Sequence, residues 1–233
     1  MGRVQSVLRG EFASHPQAAQ FAEEVARVHT RYADEVVARF QLCPFLRDTA
    51  SGFGRFCVLL DREPHLDTAL LAARQADSAV VHLVFPCVQT PPAVFERFAA
   101  RFGDALRRGT AEPPAVQGPA FVSSASNDAP VLASFHPRMA GDGSNSHRLV
   151  GLLRRAPDPF IQLIPAGLSV GGTVLAGAGI DPKEDRSELL YARLRGAGVE
   201  QIETVIRAIQ ADREASYQRF LEAFGLAQTA PPV

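Results

Sequence analysis

The stretch Arg55-Phe56-Cys57-Val58-Leu59-Leu60 is a short, unbroken apolar run behind one arginine, and it reads as a strand. Pro64–Gln75 follows, with Leu66, Leu70 and Leu71 at helical spacing, and Ala79–Phe85 is a second strand dense in β-branched residues. Strand, helix and strand in succession set the frame for the rest of the chain.

Downstream, Thr90-Pro91-Pro92 opens a helix whose Phe95, Phe98, Phe102 and Leu106 share a face, with Gly109 as its stop. Residues 109–130 are rich in Pro, Gly, Ser and Ala, and read as a lid or an excursion from the core. Val131–His136 and Phe160–Ile164 are a third and a fourth strand, with a short helix over His147–Arg155 between them. A Gly-rich segment, Gly167–Gly179, and a charged turn, Asp181–Arg186, lead to a closing helix from Ser187 that breaks near Gly196–Gly198. Upstream, Pro16–Phe40 carries Phe21, Val25, Val28, Tyr32, Val36 and Phe40 at helical spacing, and Ser14 with Gln17 has the form of a capping box. Pro44 disfavours helical geometry at Cys43 and ends this helix.

Two split strand–helix–strand units predict an α+β fold. The expected form is a ferredoxin-like split βαβ sandwich with an inserted helix and long N- and C-terminal helices. A single domain over 1–233 is expected, its core at about 50–168, with terminal helices at about 16–42 and 187–224 packed on it.

Composition narrows the function classes. Of 233 residues, 46% are hydrophobic and 21% charged, which is enough apolar material for a core. A net charge of −1 lacks the electrostatic footprint of a general nucleic-acid binder, and no apolar run reaches membrane-spanning length. Cys43, Cys57 and Cys87 form no CxxC pair, which argues against a disulfide scaffold or a zinc finger. The 24 basic residues include one lysine, Lys183, a bias expected of a G+C-rich bacterial genome. The N-terminus has no apolar signal region, and the short myristoylation pattern at Gly2 and Ser6 is not expected to act in a bacterium, so a cytoplasmic location is expected. The expected partners are a small-molecule substrate and, in a homodimer, a second copy of the chain, with neither nucleic acid nor membrane.

Side chains alternate along a strand, so counting in twos sorts them. One set is almost wholly apolar. The other holds Arg55, Cys57, His82, Ser134, His136 and Gln162, and is expected to be either a solvated face or the wall of a pocket. His136 ends its strand, Pro137 turns the chain away, and the loop Gly141–Ser146 runs into a helix start at His147 and Arg148, where backbone N–H groups could hold an anion. The plainer role for His136 is a strand-end imidazole bonded to a loop carbonyl. Cys43, near a helix C-terminus, faces the negative end of the dipole, which disfavours a thiolate. HExxH, Walker and GxGxxG signatures are absent.

At Leu42-Cys43-Pro44-Phe45 and Ala133-Ser134-Phe135-His136-Pro137, the chain resembles a bacterial family of unknown function, numbered fourteen-fifteen among such domains. That family has an LCPFA-type motif after its first helix, and an ASFHP-type motif before an Asp/Asn-rich loop and an LLRE-like helix. Asp142, Asn145 and Leu152-Leu153-Arg154-Arg155 follow here in that order, and the resemblance covers roughly residues 20–165. Its NRSPYP-like stretch is replaced by Ser144-Asn145-Ser146-His147-Arg148. The resemblance marks Cys43, His136 and the loop.

The resulting expectation is a small-molecule enzyme with haem or a transition metal held by His136, histidine being a frequent ligand of both. Ser134, Gln162 and Cys57 would line the cofactor site, and Cys43, His82, His147 and Arg148 would act on substrate. One alternative is a cofactor-free acyl-transfer or hydrolytic enzyme built on Cys43 and His136. Another is a non-catalytic ligand-binding module.

Overall fold

The computed structural model describes residues 7–40, 42, 54–76, 78, 80–111, 130–164 and 186–226. Cys43, most of the 109–130 segment, Gly167–Gly179 and the charged turn up to Asp185 lie outside the described residues. The elements are β1 (Val7–Arg9), α1 (Ala18–Tyr32), β2 (Arg55–Leu59), α2 (Leu66–Gln75), β3 (Val81–Val84) and α3 (Pro92–Ala111). They continue as β4 (Val131–Phe135), α4 (Ser146–Leu153), β5 (Phe160–Ile164), α5 (Arg186–Leu194) and α6 (Ala197–Ala223).

Mixed α+β architecture holds, but its sheet is not ferredoxin-like. The five strands run in the order β1-β2-β3-β5-β4. β1, β2 and β3 are parallel neighbours, and β5 lies antiparallel between β3 and β4. Parallel neighbours require long crossovers, and α1 and α2 supply them. The element absent from the sequence reading is β1, whose three residues carry too little periodicity to mark a strand.

The strand register fixes the faces. Phe56, His82, Gln162 and Ala133 lie in one cross-strand row, and Cys57, Leu83, Ile161 and Ser134 in the next. The first row shares its face with Val58, Val84 and Phe160, under α1, α4 and α6. The second shares its face with Leu59, Val81 and Leu163, under α2 and α3. The expected polar face therefore divides: His82 and Gln162 lie on one side of the sheet, Cys57 and Ser134 on the other. Counting in twos orders residues within a strand, but the phase between strands comes from their pairing.

α1 buries Phe21, Val25, Val28 and Tyr32 as its periodicity requires, and continues into a π-helical turn over Ala33–Ala38 that buries Val36. Phe21 stacks on Phe220 of α6 at 5.0 Å and meets Tyr217 edge-on at 4.9 Å. The Ser14/Gln17 capping box is not formed: Gln17 is the N-cap without a side-chain bond, and its N–H donates to His15 Nδ1. α3 runs two residues past Gly109, to Ala111. The break between α5 and α6 falls at Gly196, whose φ of 76° suits glycine. No described helix is long and apolar enough to cross a membrane.

One feature of this topology prepares a site. β1 leads to α1 on one face and β2 leads to α2 on the other, so the two connections part at the carboxyl ends of neighbouring parallel strands. Since β1, β2 and β3 advance in one direction, these crossovers have opposite hands, and one departs from the right-handed rule.

Candidate functional site

His136 is buried at the end of β4, and both ring nitrogens are engaged. Nε2–H donates to the Thr90 carbonyl at 3.0 Å, and Nδ1 accepts the Arg138 N–H at 3.0 Å. Burial lowers its pKa and so favours the neutral ring; Arg138 adds to this, while the bond to the Thr90 carbonyl acts against it. His82 lies across the sheet between the rings of Phe56 at 5.1 Å and Phe160 at 5.7 Å, with Gln162 opposite it. Cys57 is buried against α2, and burial pushes its thiol up to about 12, while Cys87 is raised to about 12 in the same way. Ser134 is half-buried, and His147 is exposed. Arg148 is exposed and bonded to Asp142 at 2.7 Å, which holds that carboxyl well below the usual range. At the start of α4 the Arg148 N–H is taken by Asn145 Oδ1 at 3.0 Å. The fold thus scatters His82, His136, Cys57, Ser134, Gln162, His147 and Arg148 over two sheet faces and a surface loop.

Two polar centres not singled out by the sequence emerge instead. The first surrounds Asp158, which is fully buried before β5. Its Oδ1 accepts Arg213 Nε–H at 2.9 Å, while Oδ2 accepts Tyr217 O–H at 3.0 Å and meets His29 Nε2 at 3.1 Å. Arg213 also donates to the Pro86 carbonyl at 2.9 Å and lies over the Tyr217 ring at 4.7 Å. Burial opposes the charge of Asp158, yet the Arg213 cation and the His29 bond hold its carboxyl below the ordinary value. The carboxylate is satisfied and enclosed. It fastens α1 and α6 to the sheet.

The second centre is open. A cleft of about 610 Å³ lies at the carboxyl ends of β1 and β2, within the usual size range of small-molecule sites. Crevices at the carboxyl ends of parallel strands, where connections part to opposite faces, are the usual ligand sites of open α/β sheets. One wall is the turn after β1. Gly10 ends the strand with φ of 110°, Ala13 N–H donates to its carbonyl at 3.0 Å, and Phe12 N–H donates to the Leu60 carbonyl at 3.0 Å. Phe12 stacks on Phe224 at the end of α6, which anchors this turn. The other wall is the start of α2, where His65, Asp67, Thr68 and Leu71 line the cleft. His65 is the N-cap and makes no side-chain capping bond.

Asp61 lies at the base, one residue past the Phe56–Leu60 apolar run, and only 5% of its surface is exposed. Its Oδ1 accepts the Glu11 N–H at 2.8 Å. Its Oδ2 is buried and, among the described residues, has no hydrogen-bond partner. A buried polar atom without a partner is uncommon in native proteins and points to a missing ligand, ion or water. Gly10 packs closely beside it, since a Cβ there would stand 2.7 Å from Oδ2 and from the Leu60 carbonyl carbon. Arg62 pairs with Glu11 at 3.2 Å, and Arg9 donates to Gln75 of α2 at 3.0 Å. Neither arginine is bonded to Asp61.

Sequence reasoning missed Asp61, Glu11, His65 and Asp67. The signal was a carboxylate directly after a buried strand, but it gains meaning only once β1 is known to lie beside β2. Among the described residues, no group of three or more His, Cys, Asp or Glu side chains converges as a metal site. Compared with protein-family models, curated proteins and solved structures, the chain finds no match, so the cleft is read from its own geometry.

Proposed function

We propose that this protein binds a small polar molecule in the cleft between the β1–α1 and β2–α2 connections. The observation that carries this reading is Asp61: a carboxylate at a strand end, almost wholly buried, with one oxygen unpartnered among the described residues, beside a cleft of ligand size. Asp67 and Thr68 add acceptors beside Arg9 and His65, and the unpartnered Asp61 oxygen calls for a molecule with at least one hydrogen-bond donor. Leu71, exposed and apolar, offers a surface for its carbon skeleton.

The test is a screen of polar small molecules followed by amide chemical-shift mapping. Binding in the cleft moves the resonances of Gly10–Ala13 and Asp61–Leu71 together. Hits that map only to the His136–Arg138 turn would overturn this assignment. A haem or transition metal at His136 would require the ring to give up its bond to Thr90 or to Arg138. A Soret band or stoichiometric metal in the purified protein, lost on His136→Ala, would reveal that exchange.

A further inference from the structure

We infer that the ligand of this cleft is an aliphatic amine, held by its ammonium group against Asp61; the inference rests on the cleft assignment above. Asp61 has one neutral donor, the Glu11 N–H, on one oxygen and, among the described residues, none on the other. A buried carboxylate is costly unless a positive group or several donors face it. Arg62, next in sequence, and Arg9, in the cleft lining, are engaged elsewhere. Arg62 is bonded to Glu11 and lies over the Phe12 ring at 5.2 Å, and Arg9 is held by Gln75. Neither is bonded to Asp61, and although Arg9 lines the same cleft, Oδ2 is left for a ligand to engage.

An ammonium group suits this base better than a metal ion or a neutral polyol. It supplies a positive charge and three donors from one atom, which matches one free carboxylate oxygen with Thr68 and Asp67 nearby on the α2 wall. A divalent cation needs several protein oxygens at fixed distances, and no such group converges among the described residues. A polyol would satisfy the oxygen but leave its charge uncompensated. The apolar surface of Leu71 suits a methylene chain behind the ammonium.

The experiment titrates the full chain with butylamine, 1,4-diaminobutane, 1-butanol, erythritol and MgCl₂, following cleft amides by NMR and heat by calorimetry. The inference expects both amines to bind with shifts at Gly10–Ala13 and Asp61–Leu71, and 1-butanol to bind at least tenfold more weakly. Asp61→Asn, checked for an unchanged spectrum outside the cleft, should weaken the amines at least tenfold. The butanol comparison uses the unaltered protein and decides the matter even where Asp61→Asn fails to fold. Erythritol binding in the cleft as tightly as the amines would overturn the amine and leave the cleft standing. Mg²⁺ binding there in preference to amines would do the same. No cleft shift with any probe overturns the amine, while the broader screen still judges the cleft.

Discussion

Replacing Arg213 by Met removes the guanidinium bonded to the fully buried Asp158 and keeps much of the aliphatic volume. The carboxylate retains Tyr217 and His29, and the Pro86 carbonyl loses its donor. Breaking a buried ion pair on one side costs about 3–5 kcal/mol, because the remaining charge stays enclosed. For a chain of this size that corresponds to a fall in Tm of about 6–20 °C. The sign with pH follows from Asp158. Its folded pKa lies below the unfolded one, so its contribution is present above the unfolded value of about 3.9 and is lost as pH falls through the folded value. In Arg213→Met the main opposing charge is gone, and burial raises the folded pKa instead. The stability gap between wild type and variant is therefore widest near pH 7 and narrows below pH 4. Urea unfolding at pH 7 and pH 3.5 measures it, and a second variant, Asp158→Leu with Arg213→Met, should regain most of the loss. A gap below about 1 kcal/mol that is equal at both pH values would refute the view that this ion pair fastens α6 to the sheet.

Gly10→Ala forces a side chain onto a φ of 110° and sets a Cβ 2.7 Å from both Asp61 Oδ2 and the Leu60 carbonyl carbon. We expect a loss of about 1–3 kcal/mol in chemical denaturation together with loss of cleft binding; unchanged stability would mean the turn is not as described. His136 is held neutral with a lowered pKa, so its contribution is complete above about pH 6.5 and declines as pH falls below that value. His136→Asn should flatten the stability profile between pH 6.5 and pH 5, and an identical profile in the two proteins would contradict the Thr90–His136–Arg138 arrangement.

Much of the element list was legible in the chain. Phe21, Val25 and Val28 marked α1, Phe95, Phe98 and Phe102 marked α3, and the glycines around 196 marked the break before α6, because helical burial repeats at a local spacing. The strands at 55, 81, 131 and 160 were legible as short apolar runs. Sheet order was not. Nothing within Val7–Arg9 says that it pairs with Cys57–Leu59, and without β1 the end of β2 is an ordinary loop rather than one wall of a crevice. His136 drew attention as a chemical residue at a strand end, yet its nitrogens are engaged by Thr90, 46 positions earlier in the chain, and by Arg138.

The sequence by itself determined which segments are helices and strands, and that apolar faces exist to join them, since those properties depend on neighbours within a few residues. Only the tertiary structure decided which strands adjoin, which face each side chain takes, and which carboxylates are balanced. Asp158 and Asp61 illustrate the difference. Each is an aspartate at one end of a strand, and neither has a local pattern that foretells its state. Long-range contacts bring Arg213, Tyr217 and His29 to the first and, among the described residues, leave an oxygen of the second without a partner. Charge compensation depends on distance through space, which the order of residues along a chain does not state.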